Sequence, residues 1–181
     1  MNDPALLLID VQKGFDEPSW GNRNNPDAEK KIFELLSAWR EKSWPVIHIQ
    51  HCSQEADSVL APSHPGCEFK EETKPIDNEP HFKKNVNSAF IGTGLEDHLR
   101  DQDINQLVIV GLTTDHCVST STRMAGNLGF DVSLVSDATA TFDKKGIDGK
   151  IYSADEIHAI HLASLNEEFC SVKTTAEVLN K

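Results

Sequence analysis

The chain has 181 residues, 38% of them hydrophobic and 25% charged, which is the size and composition of one globular domain with a sizeable core. Its 17 Lys and Arg against 29 Asp and Glu give a net charge of −12. This acidity argues against nucleic acid or an anionic membrane surface as the main partner, because both favour clustered basic residues. No apolar run approaches membrane-spanning length, and the first residues lack the basic-then-apolar pattern of a signal peptide.

The number and spacing of the cysteines indicate the redox compartment in which the protein is expected to work. There are four of them, Cys52, Cys67, Cys117 and Cys170. They are too few and too scattered for a secreted domain held together by disulfides. We therefore expect a single domain over residues 1–181, located in the reducing cytoplasm.

Short, continuous apolar runs predict strands at 5–9, 46–49, 107–110 and 132–135, and a weaker strand candidate covers 81–84. Runs of this length without polar alternation are typical of parallel strands that are covered on both faces. Amphipathic stretches predict helices at 26–39, 95–99, 117–128 and 154–165. The alternation of strands and helices predicts a doubly wound α/β fold. The proline-rich stretch from Cys52 to about Pro80 is too long for an ordinary connector, so it is interpreted as an active-site loop or a contact surface.

Three residues are expected to meet at one edge of this sheet. Asp10 ends the first strand, Lys84 ends the weaker strand candidate, and Cys117 follows the turn after 107–110. The carboxyl ends of parallel strands share one rim, where ligands bind. Cys117 could attack as a thiolate favoured by a helix N-terminus, with Asp10 accepting the thiol proton and Lys84 balancing charge.

Each of these residues also has a structural interpretation. An Asp at a strand end is often a turn or capping residue, a Cys near a helix start is more often a small buried hydrophobe, and a Lys in a polar segment is usually solvated. Spacing alone does not decide between the two interpretations.

Several motifs in this order resemble the isochorismatase-like cysteine hydrolase superfamily across nearly the whole chain. They are residues 7–15 (LLIDVQKGF), 20–26 (WGNRNNP), Lys84 with 88–93 (SAFIGT), 110–118 (VGLTTDHCV), 130–132 (FDV) and 136–139 (SDAT). The resemblance implies a single-domain three-layer sandwich, with a six-stranded, mostly parallel, Rossmann-like sheet between helices on both faces.

The same resemblance implies a catalytic triad of Asp10 as base, Lys84 as charge stabiliser and Cys117 as nucleophile. It also implies a cis peptide bond between Leu112 and Thr113. This bond would direct the backbone N–H of Thr113, together with that of Cys117, at an oxyanion. The expected reaction passes through a thioester and requires no metal and no cofactor.

Differences between this sequence and members of the superfamily restrict the activities that the resemblance implies. The name-giving enzymes, which cleave the vinyl ether of isochorismate, lack the nucleophilic cysteine, so Cys117 favours hydrolysis of a C–N bond. Nicotinamidases carry an Asp-x-His metal motif after the second strand, whereas this chain reads HIQHCS over 48–53. Nicotinamidase activity is therefore not expected.

Other residues are weaker candidates. We expect the substrate pocket to be lined by Gln12, Phe15, Trp20, His51 and Phe90, although the aromatic residues could equally pack in the core. A zinc site also has ligands of the right type, namely His48, His51, Cys52, His64 and Cys67. Their spacing fits no common zinc motif, and His48 and His51 would point to opposite faces of a strand.

The sequence thus predicts a hydrolase that cleaves an amide or related C–N bond of a small molecule. The alternative is a non-catalytic binding or redox-responsive module on the same fold, and ether hydrolysis of the isochorismatase type is disfavoured. The expected partners are a small-molecule substrate and, by resemblance, further copies of the chain in a dimer or tetramer.

Overall fold

Six strands form one parallel sheet in a computed structural model that describes residues 3–180. The strands are β1 (Ala5–Ile9), β2 (Val46–His51), β3 (His81–Lys84), β4 (Gln106–Leu112), β5 (Asp131–Ala140) and β8 (Ser171–Lys173). Their spatial order is β3-β2-β1-β4-β5-β8, and every neighbouring pair is parallel. The α/β fold with a six-stranded sheet is confirmed, and all six strands of this sheet run parallel.

Helices cover both faces of the sheet, so the molecule has three layers. They are α1 (Ala28–Lys42), α2 (Leu95–Asp101), α3 (Ser119–Asn127), α4 (Ala154–Leu165) and α5 (Thr175–Leu179). Leu6 and Leu8 of β1 pack in a cluster with α1 and α5, whereas Leu7 and Ile9 pack with α2, α3 and α4. Because successive strand residues point to opposite faces, one apolar run supplies two separate cores.

Several predicted element ends lie a few residues from the observed ones, including those of β5 and α3. β5 continues through Ser136 and Asp137, which looked like a strand end because both are polar. Ser136 donates to the carbonyl of Lys173, and the Asp137 carboxylate accepts from the backbone and hydroxyl of Thr175, so both polar side chains are satisfied within the sheet edge. The predicted helix at 117–128 instead begins as a π-helical turn, Thr114–Val118, which leads into α3.

Three further elements were not predicted, namely strand β8, helix α5 and a two-stranded antiparallel ribbon of β6 (Lys144–Lys145) and β7 (Ile151–Tyr152). They are short, and their sequences carry little periodicity. None of the helices in residues 3–180 is both long enough and apolar enough to cross a membrane.

The segment between β2 and β3 lies against the loop that follows β1. Its two short 3-10 turns are Pro65–Cys67 and Glu71–Thr73. Lys13 donates its backbone N–H to the carbonyl of Glu68, and Lys70 donates to the carbonyl of Val11. The long connector is therefore tied to the carboxyl edge of the sheet.

Gly111 permits the close approach of β4 to β1 beside this edge. It pairs with Ile9 and has φ +123°, a region that residues with a side chain rarely adopt. A Cβ at this position would lie 2.0 Å from the carbonyl oxygen of Ile9. The chain therefore needs glycine immediately before the turn that carries Cys117.

We predict that Gly111→Ala lowers the free energy of unfolding by about 3 kcal/mol or more, because it adds both backbone strain and a clash with backbone atoms. Gly94→Ala is the control, since its Cβ would meet only Phe82 at 3.8 Å. Urea unfolding of both variants measures the difference. A loss below about 1 kcal/mol for Gly111→Ala, within the ordinary range of point substitutions, would contradict this role.

Candidate active site

Four side chains meet at the carboxyl edge of the sheet. Asp10 directly follows β1, His51 and Lys84 are the last residues of β2 and β3, and Cys117 lies in the π-helical turn after β4. Because these strands are parallel neighbours, their ends lie side by side. Asp10 is fully buried and has φ 51°, so its backbone turns sharply at the strand end.

The Lys84 ammonium group is the centre of this arrangement. Its Nζ lies 2.6 Å from Oδ2 of Asp10, 3.0 Å from Nδ1 of His51 and 3.1 Å from Sγ of Cys117. A protonated lysine has three N–H donors, so these three acceptors satisfy the group completely. The side chains of Lys84 and Asp10 have no solvent exposure, which strengthens their ion pair relative to a surface pair.

The second carboxylate oxygen of Asp10 is not used in this network. Oδ1 is buried and makes no hydrogen bond within the described part of the chain. The carboxylate nevertheless lies close enough to Cys117 to influence the thiol. The Asp10 carboxylate therefore keeps one oxygen that is free to accept a proton.

The environment of Cys117 favours the neutral thiol. Burial raises the pKa of the Cys117 thiol well above its ordinary value, and the negative charge of Asp10 raises it further, while Lys84 opposes the shift. Burial and the neighbouring carboxylate therefore oppose the thiolate that a helix N-terminus is expected to favour.

His51 is held as a neutral base. Burial lowers the pKa of its imidazole, and the adjacent charge of Lys84 lowers it further. Since Nδ1 faces the lysine, the proton is assigned to the other ring nitrogen. Sequence reasoning placed His51 near the pocket and missed its contact with Lys84, which depends on the register of β2 against β3.

Gln12 does not line the cavity, contrary to prediction. It is fully buried, and its amide accepts from the backbone N–H of His51 and donates to the carbonyl oxygens of His51 and Cys67. Gln12 therefore supports the backbone behind the site. The buried hydrogen-bonding capacity of an amide explains this position better than contact with a ligand.

A cavity of about 420 Å³ opens in front of Cys117. Phe15 and Trp20 form part of its wall and pack together with ring centroids 5.3 Å apart. Phe90, which was expected to line the pocket, instead packs on the core with its ring 6.0 Å from that of Phe130. Other lining residues are Ser53, Gln54, Glu55, Ser58, Leu60, Asn85, Val86, Asn87, Thr113 and His116.

Two features of this wall bear on chemistry. The peptide bond between Leu112 and Thr113 is cis. Thr113 lines the cavity beside Cys117, on the same turn of backbone. Asn87, which sequence reasoning missed, places Oδ1 3.8 Å from the Cys117 sulfur, and its position three residues after Lys84 was the available signal.

Asp10, His51 and Cys117 also form the one potential metal-ligand cluster among residues 3–180. Each of the three accepts a hydrogen bond from the Lys84 ammonium group, which lies within 3.1 Å of every member. A divalent cation there would have to displace a buried lysine, so the donor set does not fit a metal. The zinc site considered from the sequence is not assembled either. Two of its ligands have other partners, because His48 hydrogen-bonds Glu79 and His64 accepts from the backbone N–H of Gly66.

Proteins of one family are similar to this chain over nearly its whole length. The family model of the isochorismatase domain matches residues 4–177. The uncharacterised isochorismatase family protein YrdC of Bacillus subtilis is 51% identical over 176 residues, which cover 97% of this chain and 94% of that protein.

Solved structures give the same result. An isochorismatase-family protein from Chromobacterium violaceum has a TM-score of 0.97 and 48% identity, covering 99% of this chain and 93% of that one. A cysteine hydrolase from Pseudomonas syringae pv. phaseolicola has a TM-score of 0.89 and 28% identity, covering 98% and 91%. The fold, the match over nearly every residue and these similarities lead to one conclusion: the chain belongs to the isochorismatase family of hydrolases.

Proposed function

We propose that the protein hydrolyses a C–N bond of a small amide through a thioester on Cys117. The observation that carries this proposal is the buried contact of the Lys84 ammonium group with both Asp10 and Cys117, at the base of a cavity of small-molecule size. A structural lysine would not need to be buried between a carboxylate and a sulfur that faces a cavity.

In the proposed reaction, the Cys117 thiol transfers its proton to Oδ1 of Asp10 as sulfur attacks the carbonyl carbon. The carbonyl oxygen becomes an oxyanion, which the backbone N–H groups of Thr113 and Cys117 stabilise. Asp10 then gives its proton to the departing nitrogen, and the C–N bond breaks to leave a thioester. Water, deprotonated by Asp10, attacks this thioester, releasing the acid and the Cys117 thiol.

The resting protonation state fits this sequence. A thiolate beside the Asp10 carboxylate would place two negative charges next to a single ammonium group. With the thiol neutral, Lys84 and Asp10 balance each other, and the charge that appears on sulfur or oxygen is formed only during attack. Lys84 thus stabilises whichever neighbour carries the negative charge.

Ammonia release from a panel of small primary amides tests the proposal. We expect turnover of at least one amide, and we expect Cys117→Ala to reduce it by about a thousandfold or more because the nucleophile is lost. Cys170→Ala is the control, since Cys170 is a buried core cysteine whose thiol donates to the carbonyl of Leu165 and does not line the cavity. Turnover that persists in Cys117→Ala, or a complete lack of turnover across the panel, would favour the non-catalytic module.

The pH dependence of Cys117 alkylation tests the proton acceptor. The Asp10 carboxylate raises the pKa of the thiol and Lys84 lowers it. Asp10→Asn should therefore increase the thiolate fraction and speed alkylation by iodoacetamide about fivefold at about pH 8.5, while Lys84→Met should slow it.

The same Asp10→Asn variant should lose amide hydrolysis by about a hundredfold or more, because it has no base. Faster alkylation together with slower turnover separates a proton acceptor from a residue that merely maintains the fold. Slower alkylation in Asp10→Asn, with unchanged thermal unfolding, would contradict the assignment.

The charge of the cavity narrows the substrate class. Of the described residues that line it, Glu55 is the one carboxylate and none is Lys or Arg. Lys84 lies at the base of the cavity, but its side chain is buried and its three donors are already used. A carboxylate on the substrate would find no lysine or arginine among the described lining residues to replace its hydration, so we infer a substrate that is neutral or cationic.

Glu55→Lys is therefore expected to raise kcat/KM for an anionic amide relative to a neutral one of the same size by about fivefold, since it changes the charge at the cavity by two. Asp57→Lys is the matched control, because Asp57 belongs to the same loop but does not line the cavity. An equal effect of the two substitutions would show that net charge, rather than Glu55, sets the preference.

A further inference from the structure

Two cysteines outside the proposed triad lie in contact. Sγ of Cys52 is 3.9 Å from Sγ of Cys67. Cys52 is the first residue after β2, and Cys67 ends the 3-10 turn Pro65–Cys67 in the long connector. Both are free thiols. Fifteen positions apart in sequence, they are brought together by the packing of the connector on the edge of the sheet.

We propose that Cys52 and Cys67 are an oxidation site, at which a hydroperoxide produces a reversible disulfide that alters the neighbouring active site. The proposed oxidation is argued from the contact between the two sulfurs. Its proposed effect on turnover rests on the proposed function.

The geometry requires only a local movement. A disulfide bond is about 2.05 Å long, so the sulfurs must approach by about 2 Å. This approach of the two sulfurs requires rotation of both side chains and a small shift of the connector that carries Cys67. Cys52 directly follows β2, so the connector is the segment that would move.

The two cysteines differ in access. Cys52 is partly exposed and lines a groove of about 480 Å³ that also contains Lys83 and Asn85. Cys67 is 5% exposed. Burial raises the pKa of Cys67 to about 11, and the contact with Cys52 contributes to the shift. An oxidant in solvent therefore reaches Cys52 first, and Cys67 acts as the resolving thiol.

The chemistry balances with one hydroperoxide. The Cys52 sulfur attacks the peroxide oxygen and becomes a sulfenic acid, while the O–O bond breaks and hydrogen peroxide leaves one water. The Cys67 sulfur then attacks the sulfenic sulfur, forming the S–S bond and releasing the second water. Two thiols are oxidised, one peroxide is reduced, and a dithiol reductant reverses the change.

This pair is connected to the site through hydrogen bonds. The Cys67 sulfur lies 3.5 Å from the carbonyl oxygen of His51, and the Gln12 amide bridges the backbones of His51 and Cys67. The His51 ring accepts from Lys84, which in turn contacts Cys117. Pulling the two sulfurs together therefore shifts the backbone that positions an acceptor of the central ammonium group.

The test treats the full-length protein with hydrogen peroxide and compares it with Cys52→Ser, Cys67→Ser and Cys170→Ser. Peptide mapping without reduction should detect the Cys52–Cys67 disulfide in the unsubstituted protein and in Cys170→Ser only. The free thiols of the unsubstituted protein should fall from four to two and recover with dithiothreitol. The iodoacetamide alkylation rate of Cys117 should change by about threefold or more on oxidation, and recover on reduction.

The outcomes separate the claims. Sulfinic acid at Cys52 without a disulfide, or a disulfide involving Cys117 or Cys170, would overturn the site. A Cys52–Cys67 disulfide that leaves Cys117 alkylation unchanged would overturn its effect on the active site. Neither readout needs a substrate. A failure of amide turnover would therefore count against the proposed function and would not affect the test of the oxidation site. If Cys67→Ser does not fold, Cys52→Ser alone tests the requirement, because Cys52 is partly exposed.

Discussion

The buried ammonium group of Lys84 is the interaction on which the site depends. Moving a charged group from water into a protein costs several kcal/mol, and this cost is offset only when its hydrogen bonds are complete and its geometry is good. Lys84 meets both conditions, because its three donors reach a carboxylate, an imidazole and a sulfur at 2.6 to 3.1 Å. The same contacts that make burial possible also bring Asp10 and Cys117 into one charge network. Structure and chemistry are therefore supported by the same atoms.

The fold delivers these groups through the parallel arrangement of its strands. Four neighbouring strands, β3, β2, β1 and β4, end at one edge, and each contributes one member of the network at or just after its end. Gly111 allows β4 to approach the backbone of Ile9 directly before Asp10, and Gln12 joins the end of β2 to the long connector. Positions that look like ordinary strand ends in the sequence thus set the contacts of 2.6 to 3.1 Å at the site.

Much of this arrangement could be predicted from the sequence. Continuous apolar runs specify buried parallel strands, and the rule that ligands bind at their carboxyl ends predicts that Asp10, Lys84 and Cys117 lie together. The protonation state could not be predicted, because it depends on how deeply Cys117 is buried and on which carboxylate lies beside it.

The predictions that Gln12 and Phe90 line the cavity are wrong for a common reason. Gln12 and Phe90 belong to the right motifs, but one points into the hydrogen bonds behind the site and the other into the core beside Phe130. Side-chain direction after a strand end depends on local backbone angles that composition does not reveal. The contact of Cys52 with Cys67 was hidden for a similar reason, since it depends on the path of a connector without periodicity.

The most direct test of the account is to trap the covalent intermediate. Rapid acid quench of the protein with an amide that it turns over, followed by mass spectrometry of the intact chain and of its peptides, would locate any acyl group. The account predicts an increase equal to the acyl group on the peptide that contains Cys117, removed by hydroxylamine and absent in Cys117→Ala. Turnover with no acyl adduct on the Cys117 peptide, or turnover that survives in Cys117→Ala, would contradict it.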